Sequence, residues 1–195
     1  QIHPPAAVVP TSYWAGRRVL ELGGGCGLVA VVLASLGAKV LCTDGDVEAL
    51  QTAKRNAWEA SQRYERNFGS VDFLSLWWGD KEAARKMARE QGPFEFIVGS
   101  DLLYGDKSPA GPLLDTLEAL VLDPAASKTR IIIAMKGRCI DEAREFRRAA
   151  EERGIWKIGL ADPEDFLEGF GDRPSPFGEG CVYSIIHLTR RRKLE

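Results

Sequence analysis

Only two histidines, His3 and His187, occur among the 195 residues. A multi-histidine metal site is thereby excluded, and a Ser/His/Asp triad would rest entirely on His187. That residue sits in VYSIIHLTR, an alternating pattern that favours a structural or surface histidine on a strand. The four cysteines, Cys26, Cys42, Cys139 and Cys181, are widely spread and form no CxxC pair. Two of them fall in apolar strand-like runs, so buried free thiols in a reducing compartment are expected rather than disulfides or zinc. The expected location is the cytoplasm, with the nucleus as an additional one. No stretch reaches the ~20 apolar residues of a membrane span. The N-terminal QIHPPAAVVP lacks the charged-then-apolar order of a signal peptide. A net charge of −2 gives no global basic field, so neither nucleic acid nor an anionic membrane is expected as partner. The concentrated basic run at Arg190–Lys193 reads as a solvated tail. No repeat or low-complexity linker divides the chain, and one domain over residues 1–195 is expected. The chain does not begin with Met, so residues upstream of it are also expected.

What the sequence does contain is a regular alternation of short apolar strands with helical segments. RRVLEL (17–22) reads as a first strand and GLVAVVLASLG as its helix, with Gly37 as the stop. KVLCTD (39–44) is a second strand, followed by a long helix over 46–66 with Val47, Leu50, Ala53 and Ala57 on one face. SVDFLSLWW (70–78) and FEFIVGSD (94–101) read as strands three and four, each followed by a helix. TRIIIAMK (129–136) is apolar and β-branched, and an amphipathic helix over 141–154 follows it. IWKIGLA (155–161) and CVYSIIHLTR (181–190) have no helix between them and read as an antiparallel pair joined by an acidic, Gly/Pro-rich loop. The implied fold is α/β: a Rossmann-like, doubly wound sheet of seven strands, mostly parallel, with a terminal antiparallel pair. In such sheets ligands bind beyond the carboxyl ends of the strands, near the switch in strand order.

The first strand runs into ELGGGCGL, with Gly23, Gly24, Gly25 and Gly27. A dinucleotide fingerprint GxGxxG read from Gly23 requires glycine at position 28, where Leu28 stands, and read from Gly25 it meets Ala30. The pattern present is E-x-G-x-G-x-G, which permits close approach of backbone to a ligand at a strand–helix turn. Asp44 ends the second strand, where a carboxylate can accept both ribose hydroxyls of an adenosine. Its competing role as a helix N-cap can be filled equally by Asp46.

These features resemble the class I, seven-strand S-adenosylmethionine-dependent methyltransferases. More narrowly they resemble methyltransferase family 16, the lysine-methyltransferase-like group. The family's VLELGxGxGLxG, xxTD, WG and D-x-x-Y elements correspond here to VLELGGGCGLVA, CTD, WWGD (77–80) and SDLLY (100–104), in order and each at an expected strand end. The resemblance runs from about Arg17 to the final strand. It implies S-adenosyl-L-methionine as cofactor. Gly23, Gly24, Gly25 and Gly27 would admit its methionine and ribose parts, with Glu21 orienting the amino-acid end and Asp44 holding the ribose. Trp78 would lie beside the adenine, with Trp77 as the competing tryptophan and core packing as the alternative for both. Ser100 would line the cofactor pocket.

The resemblance places substrate chemistry on Asp101 and Tyr104. A lysine amine attacks a methyl carbon only when neutral, and exposing its lone pair at pH 7 costs about 4.6 kcal/mol for a pKa of ~10.4. A nearby sulfonium lowers that cost by disfavouring the ammonium form. Asp101 would attract and align the lysine, and Tyr104 would line the channel with its ring and hydroxyl. A strand-end aspartate capping the next turn is the structural alternative for Asp101. The implied partner is a protein substrate presenting a lysine, with no metal; the sequence leaves the oligomeric state open. Two competing functions stay open: methylation of a small molecule or protein histidine, and a non-catalytic binding module contacting its partner through the acidic loop at 162–180. The family's upstream WP-like stretch, which helps cover the cofactor, has no clear counterpart, because Trp14 lies too near the first strand.

Overall fold

The central strands are short, nearly continuous apolar runs, as expected where both faces of a sheet are covered, and the helices carry apolar residues at every third or fourth position. The computed structural model describes residues 13–63, 68–103, 110–122, 126, 128–136, 140–161 and 183–191. Along them run β1 (Arg18–Leu22), α1 (Leu28–Ser35), β2 (Lys39–Asp44), α2 (Val47–Arg63), β3 (Ser70–Ser75), α3 (Lys81–Gln91), β4 (Phe96–Ser100), α4 (Ala110–Leu120), β5 (Arg130–Lys136), α5 (Ile140–Glu152), β6 (Trp156–Ala161) and β7 (Tyr183–Arg190).

These strands form one seven-stranded sheet in the order β3-β2-β1-β4-β5-β7-β6. The pairs β1–β2, β1–β4, β2–β3 and β4–β5 are parallel. The expected terminal pair is β6 and β7, and it is antiparallel. β7 also pairs antiparallel with β5, so it enters the sheet between β5 and β6 and leaves β6 at the edge. The alternating, mostly parallel architecture is therefore the one the sequence pattern implies.

Residue alternation along the central strands divides the apolar interior into two layers. Val19, Val40, Cys42, Phe96 and Val98 pack with Ala30, Leu33 and Ala34 of α1 and with Leu50 and Ala53 of α2. Leu20, Leu22, Leu41 and Ile97 point the other way, toward α3, α4 and α5, through Met87, Leu113, Leu117 and Phe146. Both faces of the sheet are thus covered, as parallel strands require.

Several boundaries differ from the sequence reading. β3 ends at Ser75 rather than at 78, so Trp77 and Trp78 belong to the following turn and not to a strand. On α2, Leu50, Ala53 and Ala57 are buried as expected, but Val47 is exposed because it stands at the first helical position, above the sheet end. His187 stands in mid-β7, opposite Ile132 of β5 and Gly159 of β6. Cys42 is buried and free, whereas Cys26, in the glycine loop, is free and exposed; Cys139 and Cys181 lie outside the described residues.

Candidate active site

The chain runs outward from β1 to β2 to β3, then returns to the other side of β1 to form β4. The reversal opens a crevice past the carboxyl ends of β1 and β4, and the glycine loop crosses it. Gly23, Gly25 and Gly27 have φ of 60°, 52° and 80°, values that L side chains adopt only under strain. Gly24 is glycine for a different reason, since a Cβ there would lie 2.3 Å from Cys42 Sγ. Gly27 precedes the first turn of α1 without a side-chain cap. It has a packing role as well: a Cβ on it would stand 2.8 Å from Ala53 Cβ, where α1 and α2 meet.

Asp44 ties this loop to β2. Its Oδ2 accepts a hydrogen bond from Gly25 N–H at 2.9 Å, and its Oδ1 accepts one from Asp46 N–H at 2.9 Å. The N-cap role falls to Asp46, whose Oδ1 accepts from Glu48 N–H at 2.8 Å and Ala49 N–H at 3.4 Å. Asp44 is therefore not spent on capping, and its half-buried carboxylate sits at the strand end facing the loop.

Glu21 lies beneath the loop, on the layer shared with Val19 and α1. It is only 3% exposed, and its Oε2 has no hydrogen-bond partner among the described residues. A Cβ built on Gly24 would come within 3.3 Å of that oxygen, so the carboxyl sits directly under the glycine backbone. Burial pushes its pKa up to about 7; the Cys42 thiol and the Ala30 backbone, facing it as donors, pull the other way, and the charge of Asp44 adds to the rise. Burial, with the negative charge of Glu21 beside it, likewise pushes the Cys42 thiol upward.

The two tryptophans after β3 occupy different environments. Trp78 is half-buried against the α3–α4 core, and its ring edge closes on Gly23, where a Cβ would meet Cζ2 at 3.2 Å. Trp77 is 70% exposed. The turn that carries them is built by residues the sequence reading did not single out. Gly79 takes φ 94° and donates its N–H to Thr116 Oγ1 at 2.8 Å, while Asp80 caps α3 by accepting from Ala83 N–H at 2.9 Å. The WGD spelling thus encodes a turn and a cap as well as an aromatic group. The available signal was Asp immediately ahead of a helical pattern.

Beyond β4, Ser100 is exposed and Asp101 is half-buried. Asp101 has φ 57° and is the one non-glycine residue at positive φ among the described residues. Its backbone N–H donates to Ala134 O at 2.8 Å, which extends the β4–β5 ladder by one bond while the chain turns. Leu102 and Leu103 then dive into the core at 2% exposure each. Leu102 packs where Cβ atoms on Gly23 or Gly99 would collide with it, at 2.7 Å and 2.4 Å. This wedge holds the Asp101 segment against the glycine loop. Tyr104 and the acidic loop at 162–180 lie outside the described residues. Trp14 packs on Phe96, the first residue of β4, and so lies at the opposite end of the sheet from the crevice.

A family model described as lysine methyltransferase, methyltransferase family 16, matches residues 7–153. The chain belongs to the lysine methyltransferase family. Protein N-lysine methyltransferase METTL21A of Danio rerio is 38% identical over 106 residues, covering 54% of this chain and 44% of that protein. Protein-lysine methyltransferase METTL21E of Mus musculus is 32% identical over 123 residues, covering 63% of this chain and 46% of that protein. The aligned part is thus under half the length of these curated relatives. A solved structure titled as a TehB-like SAM-dependent methyltransferase from Corynebacterium glutamicum superposes with a TM-score of 0.57 at 18% identity, over 94% of this chain and 89% of that one. At that identity the likeness is one of fold.

For a member of the lysine methyltransferase family, the structure gathers most of the expected residues at one place. Glu21, the four glycines, Asp44 and Trp78 surround the ends of β1 and β2, with Asp101 joined to them through Leu102. The orphaned buried oxygen of Glu21 and the side-chain-free loop above it fit a ligand that carries a cationic amino-acid end. Among the described residues, no group of three or more His, Cys, Asp or Glu is placed to hold a metal ion, and no helix is long and apolar enough to cross a membrane.

Proposed function

We propose that this chain carries the transferase site of an S-adenosylmethionine-dependent protein N-methyltransferase acting on a lysine side chain. The observation that carries the reading is the wedge of Leu102 between Gly99 and Gly23, which places Asp101, in its strained conformation, next to the cofactor loop. Backbone strain of this kind persists where the surroundings over-determine it, and it clusters at functional sites.

In this reading Gly23, Gly24, Gly25 and Gly27 let the backbone approach the methionine and ribose parts, and Glu21 supports the amino-acid end from beneath Gly24. Asp44 uses its remaining lone pairs for the ribose hydroxyls. Trp78 closes the floor by Gly23, and Ser100 lines the rim. The bound cofactor supplies a methyl group activated on a sulfonium. Asp101 draws in the lysine ammonium by charge, then accepts a hydrogen bond from the amine and aims its lone pair along the line of transfer. The ammonium gives its proton to bulk water before attack, the neutral amine takes the methyl directly, and Asp101 holds and orients that amine without acting as a nucleophile. Tyr104, three residues on, is assigned the channel wall by the D-x-x-Y spacing. The protein partner is one presenting an accessible lysine, in the cytoplasm or nucleus.

The test is methyl transfer from isotopically labelled cofactor to a protein fraction, compared between the natural protein and Asp101→Ala. Transfer should fall by at least about a hundredfold, the scale of a lost positioning contact at the reacting group. Undiminished transfer by the variant would remove Asp101 from its assigned role. Mass spectrometry of the product should locate the label on lysine; label on histidine or on a small molecule would replace the lysine reading.

A further inference from the structure

We propose that Trp77, rather than Trp78, provides the surface on which the adenine of the cofactor stacks, with Gly45 as the seat that lays the indole flat. The inference rests on the cofactor reading above and adds to it a binding residue on the outer wall of the site.

Three observations converge. First, the indole lies across Gly45: a Cβ built there would meet Trp77 Cε3, Cδ2 and Cζ3 at 3.0, 3.1 and 3.2 Å. Contact with fused-ring carbons at nearly equal distances means that the ring presents a face, not an edge, to the Gly45 backbone. The opposite face is open, since the residue is 70% exposed. A tryptophan with one face supported and one face in water is a ready stacking platform. Second, its backbone is fixed on both sides. Leu76 is buried at 2% exposure and donates its N–H to Asp44 O at 3.1 Å, and Trp77 O accepts from Asp80 N–H at 3.3 Å. The platform is therefore pre-positioned, and little ordering is left for binding to impose. Third, Gly45 directly follows Asp44, whose carboxylate faces the glycine loop. A nucleoside whose ribose hydroxyls rest on Asp44 carries its base only one sugar ring away, which brings a flat aromatic ligand to the indole beside Gly45.

Trp78 is the less suitable partner because its ring is already engaged. It packs on the α3–α4 core, and its distal edge is closed by Gly23. It shapes the floor of the site, while Trp77 offers a free face.

The experiment uses the full natural protein and measures S-adenosylhomocysteine affinity by calorimetry, with methylthioadenosine as a second ligand that keeps the base and ribose but lacks the amino-acid end. Trp77→Ala should weaken both ligands by the same factor, about tenfold or more, the size of a lost base–aromatic stack. Trp77→Phe should stay within about threefold of the natural protein, because a face remains. Gly45→Val keeps the tryptophan but lifts the ring from its seat; it should weaken binding similarly, and the double variant Gly45→Val/Trp77→Ala should lose no more than Trp77→Ala alone. Thermal melts of each variant separate lost binding from lost folding. If the natural protein binds and Trp77→Ala binds within twofold of it, the stacking inference fails and the cofactor reading stands. If cofactor affinity is unchanged but the KM for protein substrate rises, Trp77 is a substrate contact and the inference is likewise overturned. If the natural protein binds neither ligand, both readings fall.

Discussion

Replacing Glu21 by glutamine should stabilise the protein at neutral pH and, at the same time, abolish the acidic limb of its cofactor-affinity profile. The carboxyl is 3% exposed, has no partner for Oε2 among the described residues, and has its pKa raised from 4.5 to about 7. A carboxylic acid whose folded pKa lies above its unfolded value binds its proton more tightly when folded. Stability from this group is therefore greatest below pH 4.5 and is lost as the pH rises toward 7. The span between 4.5 and about 7 corresponds to up to about 3 kcal/mol. Glutamine keeps the shape without the charge, so Glu21→Gln should melt above the natural protein at pH 8 and near it at pH 5. Binding reverses the balance. A cationic amino-acid end above the loop favours the ionised carboxylate, so at pH 6 the cofactor must first drive off a proton. With an unliganded pKa of about 7, affinity should be roughly tenfold weaker at pH 6 than just above pH 7. It should fall again once the ligand's own amine loses its proton, near about pH 8. Calorimetric titrations of S-adenosylhomocysteine at pH 6, run in two buffers of different ionisation enthalpy, should show release of about one proton per site, absent in Glu21→Gln. Affinity that is flat from pH 6 to 7 with no buffer-dependent heat, or a Glu21→Gln variant less stable than the natural protein at pH 8, would refute the reasoning.

Gly27→Ala should destabilise the fold by about 2–3 kcal/mol and lower the melting temperature by about 5–10 °C, because it combines a positive φ with overpacking against Ala53. A circular dichroism melt checks this, and an unchanged midpoint would show that α1 and α2 can separate freely. Arg153→Ala removes hydrogen bonds to Asp115 Oδ1 at 2.5 Å, Glu118 Oε1 at 2.9 Å and Gly111 O at 3.3 Å, which fasten the end of α5 to α4. These side chains are about a quarter exposed, so the expected cost is moderated by solvent to about 1–2 kcal/mol. Denaturant titration at low and high salt should show that cost shrinking as salt rises; a cost that does not change with salt would point to lost packing instead.

How far the sequence speaks for this protein depends on whether a feature is local. Strand positions were legible because β1, β2, β4 and β5 are short apolar runs bounded by polar or glycine residues, and β2 begins and ends where KVLCTD does. The glycine loop was legible for the same reason, since positive φ at Gly23, Gly25 and Gly27 is a backbone requirement that few residue types meet. Asp46 was legible as a cap equal to Asp44, and the hydrogen bonds from Glu48 and Ala49 to its carboxylate give it that role.

Other features depend on groups far apart in the chain. The insertion of β7 between β5 and β6 is set by pairing across distant strands, which no local pattern encodes. The division of labour between Trp77 and Trp78 could not be taken from strand alternation, because β3 stops at Ser75 and the turn is then shaped by Gly79, Thr116 and Asp80. The burial of Glu21 beneath Gly24 beside Cys42, which raises its pKa, required β1, β2 and the loop to be assembled. So too did the link from Asp101 to the glycine loop, carried by Leu102 filling the space left at Gly23 and Gly99. Sequence by itself determined the elements, the loop and the family resemblance, because these rest on periodicity and on backbone limits within a few residues. Tertiary structure alone decided which groups lose water and which keep a free face, because desolvation and close contact are properties of what lies nearby in space.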